Sequence, residues 1–398
     1  MFFITKEVRS SFFPYENELL LSCSCTNPDM DRIKDILGNR LNWDYIGANG
    51  GKHGISSLLY RNLSHFDELG VIPDKVMKHL KGQYFGTIAR NTRHYDELRH
   101  ILRSFKDAEI PVIILKGAAL AEIVYHDVGL RGFNDIDILV RKEDLKNAKR
   151  IALTAGYTLD EQVSPEAYNE KFGCDLYYFK NFPLEIHWDI LRKSGSDKHT
   201  KVTIEELWKN ATPVRIANID ALMLAPENML LHLCIHLPKH RYNRLIWLCD
   251  ISEIIRYYDI DWNLVLKNAN KYKAKLYLYY GLYFTSKLLG ANVPAYALQK
   301  LKPNNLERML FLSINKDIIS GRKNVLYQIT PLFKVLLIDR YLDRIRYLVE
   351  YFFPPIEMME HRYGLSGSRI YFHRIAYPIY IVMKNFKRFV AMLLPPKM

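Results

Sequence analysis

The chain has 398 residues, of which 49% are hydrophobic and 25% charged. This composition is typical of a folded protein with a sizeable core, and it excludes an intrinsically disordered chain. The 56 basic and 43 acidic residues leave a net charge of +13, which predicts a polyanionic partner: nucleic acid, nucleotide phosphates or an anionic membrane surface.

The first predicted elements are helices. Apolar residues recur at helical spacing in 31–41 and 55–63, and the turn signal Asn49-Gly50-Gly51 stands between them. A long amphipathic helix is predicted from about Phe85 to Ala108. We therefore take residues 1–84 as an N-terminal helical segment.

Short strands and helices alternate in residues 85–215. A buried strand, 111–115, ends at Lys116-Gly117 and precedes a helix at 118–125. The further predicted elements are a strand at 134–140, a helix at 143–155, and strands at 175–180 and 184–190. The mixture predicts an α+β fold, in which residues 85–215 form a small mixed-sheet core.

The rest of the chain reads as helical. Pro226-Glu227 is a favourable helix start, and two more helices are predicted in 262–290. We place a helical substrate-side domain at 216–320. The segment 321–398 is rich in Tyr and Phe and carries 13 basic and 5 acidic residues. Its apolar residues are dense enough to predict a packed helical cap.

The cysteines and the apolar segments bear on location. The five cysteines are scattered, which argues against a disulfide framework and indicates a reducing compartment. Lys6 and Glu7 make the first apolar run too short for a signal peptide, and no uncharged stretch approaches the roughly 20 residues of a membrane helix. We expect a cytoplasmic protein without integral membrane association.

Two acidic side chains share one face of the strand at 134–140. Because side chains alternate along a strand, Asp135 and Asp137 point to one side, and Ile136 and Ile138 to the other. Neighbouring carboxylates repel each other and are costly to bury. A divalent cation would neutralise the pair, so the pattern predicts a metal site.

A second strand repeats this arrangement with Glu185 and His187 on one face. Glu185 is the candidate third carboxylate of a two-metal site. For His187 two roles stay open, a base for an acceptor hydroxyl or a partner of the acids.

The turn at Lys116-Gly117 is a candidate phosphate site. A glycine there lets the backbone approach a ligand, and a helix N-terminus attracts anions. Lys116 or Arg131 adds positive charge for phosphoryl groups. Arg131 could instead pair structurally with Asp127 or Asp135.

These motifs together resemble the nucleotidyltransferase superfamily with the polymerase-beta-like catalytic core. The closer resemblance is to a branch usually labelled uncharacterised nucleotidyltransferases. Its hallmarks are similar to Leu115-Lys-Gly117, Gly129-Leu-Arg131, Asp135-Ile-Asp-Ile-Leu-Val140 and Glu185-Ile-His-Trp188, and less specific similarity extends to Asn42–Asp44, Leu230–His236, Arg244–Asp250 and Arg362–Leu365. The superfamily usually has Gly-Ser or Gly-Gly in the turn, whereas this chain has Lys-Gly followed by Ala118.

The resemblance implies that the protein moves a nucleoside monophosphate from a nucleoside triphosphate, expected to be ATP, to an acceptor hydroxyl. By the resemblance, the catalytic and metal-binding residues would be Asp135, Asp137 and Glu185 with Mg²⁺ or Mn²⁺, and Lys116 and Gly117 would bind the nucleotide. We also expect Arg131 and His187 to be nucleotide-binding residues. The acceptor stays open among an RNA end, a protein or peptide, and a small molecule.

Other hypotheses remain beside this one. The chain could be a non-catalytic nucleotide- or RNA-binding module that keeps the fold, or a peripheral membrane protein anchored by 377–394. His232 and His236 are four residues apart, the spacing of a zinc pair, but we favour a packed or substrate-facing pair. We expect Arg241, Arg244 and Asp250 to form an ion-pair network near the cleft.

Overall fold

A computed structural model describes residues 14–163, 165–240, 242–314, 318, 334–364 and 367–393. Several sequence features lie outside the described residues: Lys6 and Glu7, Arg241, Leu365, and the parts of the C-terminal segment at 321–333 and 394–398.

The described residues of the N-terminal part contain five α-helices. They are α1 (Pro14–Ser22), α2 (Met30–Leu37), α3 (Trp43–His53), α4 (Ser56–Leu63) and α5 (Asp74–Asp107). Asp29 accepts a hydrogen bond from the Arg32 amide and so caps α2, and Asn42 caps α3 in the same way through the Tyr45 amide. Helix α5 has 34 residues and starts well before the predicted Phe85, because Pro73 precedes its first turn.

The turn predicted at Asn49–Gly51 is wrong, since these residues lie inside α3. Gly50 serves packing there: a Cβ at this position would lie 2.5 Å from Leu59 Cδ1 of α4. The helix ends instead at Gly54, whose φ of +71° is the left-handed conformation that favours glycine.

A seven-stranded mixed sheet occupies the middle of the chain. Its strands are β1 (Ile113–Ile114), β2 (Ile136–Leu139), β3 (Thr158–Leu159), β4 (Asp175–Phe179), β5 (Pro183–His187), β6 (Thr212–Ile216) and β7 (Ile219–Met223), in the order β3-β4-β5-β2-β1-β7-β6. Strands β2 and β5 are parallel, as are β1 and β7, and the other neighbours are antiparallel. The helices of this part are α6 (Lys116–Ile123), α7 (Leu145–Thr154), α8 (Glu166–Phe172) and α9 (Ile204–Lys209). The predicted α+β class with a mixed sheet is confirmed.

The hairpin of β6 and β7 was not among the predicted strands. Its two turn residues, Ala217 and Asn218, have φ values of +52° and +63°, as a tight hairpin turn requires. Strand β7 pairs with β1 although it follows residue 215, where we placed the end of the core. The division into four segments stays a proposal.

Helices make up the remainder of the described chain. They are α10 (Pro226–His236), α11 (Leu245–Tyr257), α12 (Trp262–Lys271), α13 (Lys275–Leu289), α14 (Ala295–Leu301), α15 (Asn305–Ile314), α16 (Tyr341–Phe352), α17 (Ile356–Tyr363) and α18 (Ser368–Leu393). One hydrophobic core runs from Leu19 to Leu337, and Met359, Ile370, Tyr377 and Ile381 form a small second one. Within the part of the chain that the structure describes, no helix has the length and apolarity needed to cross a membrane.

Candidate active site

Two acidic residues face each other across neighbouring parallel strands. Asp137 of β2 and Glu185 of β5 are paired in register, so their side chains lie on the same face of the sheet. Ile136 and Ile138 are fully buried in the core on the opposite face. Asp135, which immediately precedes β2, lines the same pocket of about 1130 Å³ as these two acids. The structure therefore brings the three predicted acids together.

Two cationic side chains contact Asp137. Lys116 Nζ lies 2.8 Å from Asp137 Oδ1, and His187 Nε2 lies 3.0 Å from the same oxygen. His187 Nε2 is also 3.3 Å from Glu185 Oε2, so its ring bridges both acids. His187 thus contacts both acids, and its role in the reaction stays a prediction.

The charges at this cluster alter its ionisation. Burial opposes the charge of Asp137, but Lys116 and the hydrogen bond from His187 outweigh burial and hold its pKa well below the ordinary value. The hydrogen bond to Asp137 likewise keeps the pKa of His187 well above its ordinary value despite burial. The negative charge of Asp137, followed by burial, raises the pKa of Asp135 to about 6. Asp137 is therefore held in its charged form, whereas Asp135 ionises only at a higher pH than an ordinary aspartate.

The Lys-Gly turn is closely packed against the loop before β2. Lys116 has a φ of +43°, an uncommon conformation for a residue with a side chain, and it starts α6. A Cβ on Gly117 would lie 2.6 Å from Phe133 Cβ and 3.4 Å from an Arg131 amino nitrogen. The glycine is therefore required by this packing.

Arg131 lines the pocket, but its guanidinium is hydrogen-bonded to Asp250 of α11. The Nε and one amino group donate to the two carboxylate oxygens at 3.1 and 2.7 Å, and the other amino group donates to the Gly132 carbonyl at 2.7 Å. The structural alternatives that the sequence suggested, Asp127 and Asp135, are thus wrong as its hydrogen-bonding partner. Asp127 instead accepts hydrogen bonds from the Tyr84 hydroxyl and the Gly129 amide.

Three histidines, His232, His236 and His240, lie on α10 and in the following turn and line the pocket that the acids also line. The rings of His236 and His240 lie 4.4 Å apart between centroids, and the His240 ring contacts the Trp247 ring in a tilted arrangement at 4.5 Å. His232 is 4% exposed, and neither ring nitrogen has a hydrogen-bond partner among the described residues. Burial, followed by the charge of Lys116, lowers the pKa of both His232 and His236. Neutral imidazoles therefore line this side, in agreement with a packed or substrate-facing pair.

The donor set fits a divalent cation. Asp137 and Glu185 offer carboxylate oxygens within 4.8 Å of each other, and Asp135 lines the same pocket. Carboxylate oxygens are the ligands that Mg²⁺ and Mn²⁺ prefer. A second group, Cys174 with Asp175 and His187, contains a thiol whose pKa is raised by burial, which makes it unsuited to these cations. The acids on β2 and β5 are the better candidate metal ligands.

Comparison with known proteins agrees with this geometry. A family model described as "Uncharacterised nucleotidyltransferase" matches residues 39–290, which is more than half of the chain and includes every residue of the acid cluster. The chain belongs to this family, and nucleotidyl transfer is the general class of reaction that membership supports. Neither a curated protein nor a solved structure matches the chain.

Arg90 and Arg244 are pocket residues that the sequence reading did not assign to ligand binding. Arg244 was expected to pair with Asp250, but Asp250 pairs with Arg131. Among the described residues, neither Arg90 nor Arg244 has a carboxylate at ion-pair distance. Arg90 lies on a helix whose sequence shows only amphipathic spacing, so no local signal distinguishes it.

Proposed function

We propose that the protein transfers a nucleoside monophosphate from a nucleoside triphosphate to an acceptor hydroxyl, with Mg²⁺ or Mn²⁺ held by Asp135, Asp137 and Glu185. The observation that carries this proposal is the in-register pairing of Asp137 with Glu185 on parallel strands, inside a large pocket that Asp135 also lines. Asp137 is buried and the other two acids are partly buried, and folding alone offers no reason to concentrate carboxylates in this way.

Different residues of the site have different roles in the proposed in-line transfer. When bound, the divalent cation supplies charge that stabilises the entering and leaving oxygens. Lys116 and His187 hold Asp137 in its charged form, ready to act as a ligand. Asp135, whose pKa is raised to about 6, accepts the proton of the acceptor hydroxyl, because the pKa of Asp137 is held too low for this role.

We propose that the nucleotide is bound by Lys116, Gly117, Arg131 and His187. Lys116 places a positive charge beside the acids, and the Lys116-Gly117 turn begins helix α6, where backbone amides favour phosphate. Since the Arg131 fork is bonded to Asp250, we propose that Arg131 contributes chiefly by fixing the pocket wall against Gly117.

The finer features of the reaction are also proposals. ATP is the expected donor, and the excess of basic residues favours an anionic acceptor such as RNA, with a protein or a small molecule as alternatives. We propose a cytoplasmic location because all five cysteines are free thiols, as a reducing compartment requires. The competing function is a non-catalytic nucleotide- or RNA-binding module, against which the complete set of three acids argues.

The test incubates the protein with each α-³²P-labelled nucleoside triphosphate, Mg²⁺ or Mn²⁺, and a cell lysate separated into RNA, protein and small-molecule fractions. The variants Asp137→Asn and Glu185→Gln keep the side-chain shapes, and the exposed Glu143→Gln is the matched control. We expect label in one fraction, reduced about 100-fold or more in both site variants and unchanged in the control. Nucleotide binding without label in any fraction would favour the non-catalytic module.

A further inference from the structure

Most cations of the active-site pocket are matched by an acid. Four ion pairs line it: Lys116–Asp137, Arg131–Asp250, Arg192–Asp175 and Lys239–Asp197. Arg90, Arg244 and Lys334 also line the pocket, and in the described part of the chain none of them takes part in an ion pair. The buried Nε of each of the two arginines has no hydrogen-bond partner there.

Arg244 stands at the entrance to α11, packed between a glycine and an aromatic ring. A Cβ on Gly54 would lie 2.5 Å from its amino nitrogen, so the guanidinium packs directly against this glycine. Its carbon Cζ lies 5.6 Å from the centre of the Trp247 ring. Burial, followed by the charge of Arg131, lowers the pKa of Arg244, as expected for a cation without a partner.

Arg90 occupies a similar position on α5. A Cβ on Gly132 would lie 2.8 Å from one of its amino nitrogens, which places the guanidinium against the loop that leads to Asp135. Its hydrogen bond to a protein side chain, at 3.4 Å, joins it to the neutral hydroxyl of Thr87. Two glycines thus make room for two guanidinium groups that lack an acid.

Arg90 and Arg244 are partly buried, and a guanidinium that loses water without gaining an acid partner is destabilising. An anionic ligand in the pocket would supply the missing partner. The planar guanidinium group of arginine can donate two parallel hydrogen bonds to two oxygens of one phosphate, which the ammonium group of lysine cannot do. The buried, unpartnered nitrogens of His232 on the same wall also indicate a polar ligand.

We infer that Arg90 and Arg244 form a phosphate-binding site, which holds the polyphosphate of the nucleotide between α5 and the start of α11, in the pocket that the acids also line. The identity of the ligand as a nucleotide rests on the proposed function. The site itself rests on the two unmatched guanidinium groups.

The test measures binding by isothermal titration calorimetry, without divalent cation and then with Mg²⁺. The probes are ATP, inorganic tripolyphosphate, adenosine and a short single-stranded RNA. The variants are Arg90→Ala and Arg244→Ala, each with its Lys counterpart, which keeps the charge and loses the fork. Arg103→Ala is the matched control, since Arg103 is exposed on the same helix as Arg90.

We expect each Ala variant to weaken the binding of ATP and tripolyphosphate by about 10- to 100-fold and to leave the binding of adenosine unchanged. The affinities of the Lys variants should lie between those of the wild type and the Ala variants. Tripolyphosphate binding that depends on both arginines supports the site even if no nucleotidyl transfer is found. Unchanged affinity for tripolyphosphate, or no binding by the wild type, overturns the inference even if transfer is real. Weakened RNA binding with unchanged ATP binding also overturns it and assigns the arginines to an acceptor backbone. If an Ala variant does not fold, the Lys variant decides.

Discussion

The guanidinium of Arg131 and the carboxylate of Asp250 are joined by two hydrogen bonds, at 3.1 and 2.7 Å, although 119 residues separate them. The Tyr125 hydroxyl donates a third hydrogen bond to the same carboxylate, at 3.0 Å. The pair is almost fully buried and ties the loop before the acid strand to α11. It thereby fixes the position of Arg244, six residues before Asp250, relative to the acids.

The first prediction is that Asp250→Ala lowers the free energy of unfolding by about 3–5 kcal/mol, because it leaves the Arg131 charge buried without a partner. Denaturant unfolding monitored by circular dichroism measures the loss. Asp259→Ala is the control, since Asp259 is exposed just beyond α11, and we expect it to change stability by less than about 0.5 kcal/mol.

A double-mutant cycle shows whether the effect belongs to the pair. In the Arg131→Met background the Asp250→Ala change should cost much less than in the wild type, since the orphaned charge is already absent. Strictly additive losses would contradict the pairing.

The second prediction concerns Gly117. Gly117→Ala places a methyl group 2.6 Å from Phe133 Cβ, so we expect the turn to shift and the protein to lose about 1–3 kcal/mol of stability. Gly86→Ala is the matched control, because a Cβ there has no heavy atom within 4 Å and the residue lies inside α5. We expect this variant to be stabilised by about 0.5–1 kcal/mol. A Gly117→Ala protein as stable as the wild type would show that the turn accommodates a side chain.

The acid cluster could be predicted because its signal is local. Side chains alternate along each strand, so the sequence alone predicts which residues of β2 share a face with Asp137 and which residues of β5 share a face with Glu185. The register of β2 and β5 then places Asp137 and Glu185 side by side on one face of the sheet. The pairing of Arg131 with Asp250, which leaves Arg244 without an acid partner among the described residues, could not be predicted, since it depends on how α11 packs against a loop more than a hundred residues earlier. Sequence spacing carries no information about such a contact.

Two errors in the fold have similar physical causes. The glycines at 50 and 51 looked like a turn, but Gly50 is a small residue at the contact between two helices, a role that composition cannot distinguish from a turn. The hairpin of β6 and β7 escaped notice because its half-exposed strands mix polar and apolar residues, and its turn begins with Ala217 instead of glycine or asparagine.

The third prediction concerns competition between Lys116 and a divalent cation. Lys116 Nζ lies 2.8 Å from Asp137 Oδ1, so a bound cation must share this oxygen with an ammonium group. Lys116→Met should therefore raise the affinity for Mn²⁺ by about tenfold, while weakening the binding of ATP. Electron paramagnetic resonance of free Mn²⁺ measures the first effect and calorimetry the second. Weaker Mn²⁺ binding in the variant would contradict the prediction and show that Lys116 positions Asp137.

The last prediction follows from Asp135, whose pKa is raised to about 6 by Asp137 and by burial. A carboxyl group with a raised pKa in the folded protein contributes full stability below its ordinary value of 3.8 and loses this contribution as the pH rises through about 6. Asp135→Asn removes the ionisation and should therefore match the wild type at about pH 4. At about pH 7.5 it should be more stable by about 2–3 kcal/mol.

Denaturant unfolding in EDTA at several pH values measures this difference, and Asp259→Asn is the control, with no pH-dependent gain expected. Divalent cation should reverse the order, because it binds the ionised carboxylate and stabilises the wild type more than the variant. A gap between wild type and variant that does not grow between pH 4 and 7.5 would show that Asp137 and Asp135 do not repel each other as their positions require.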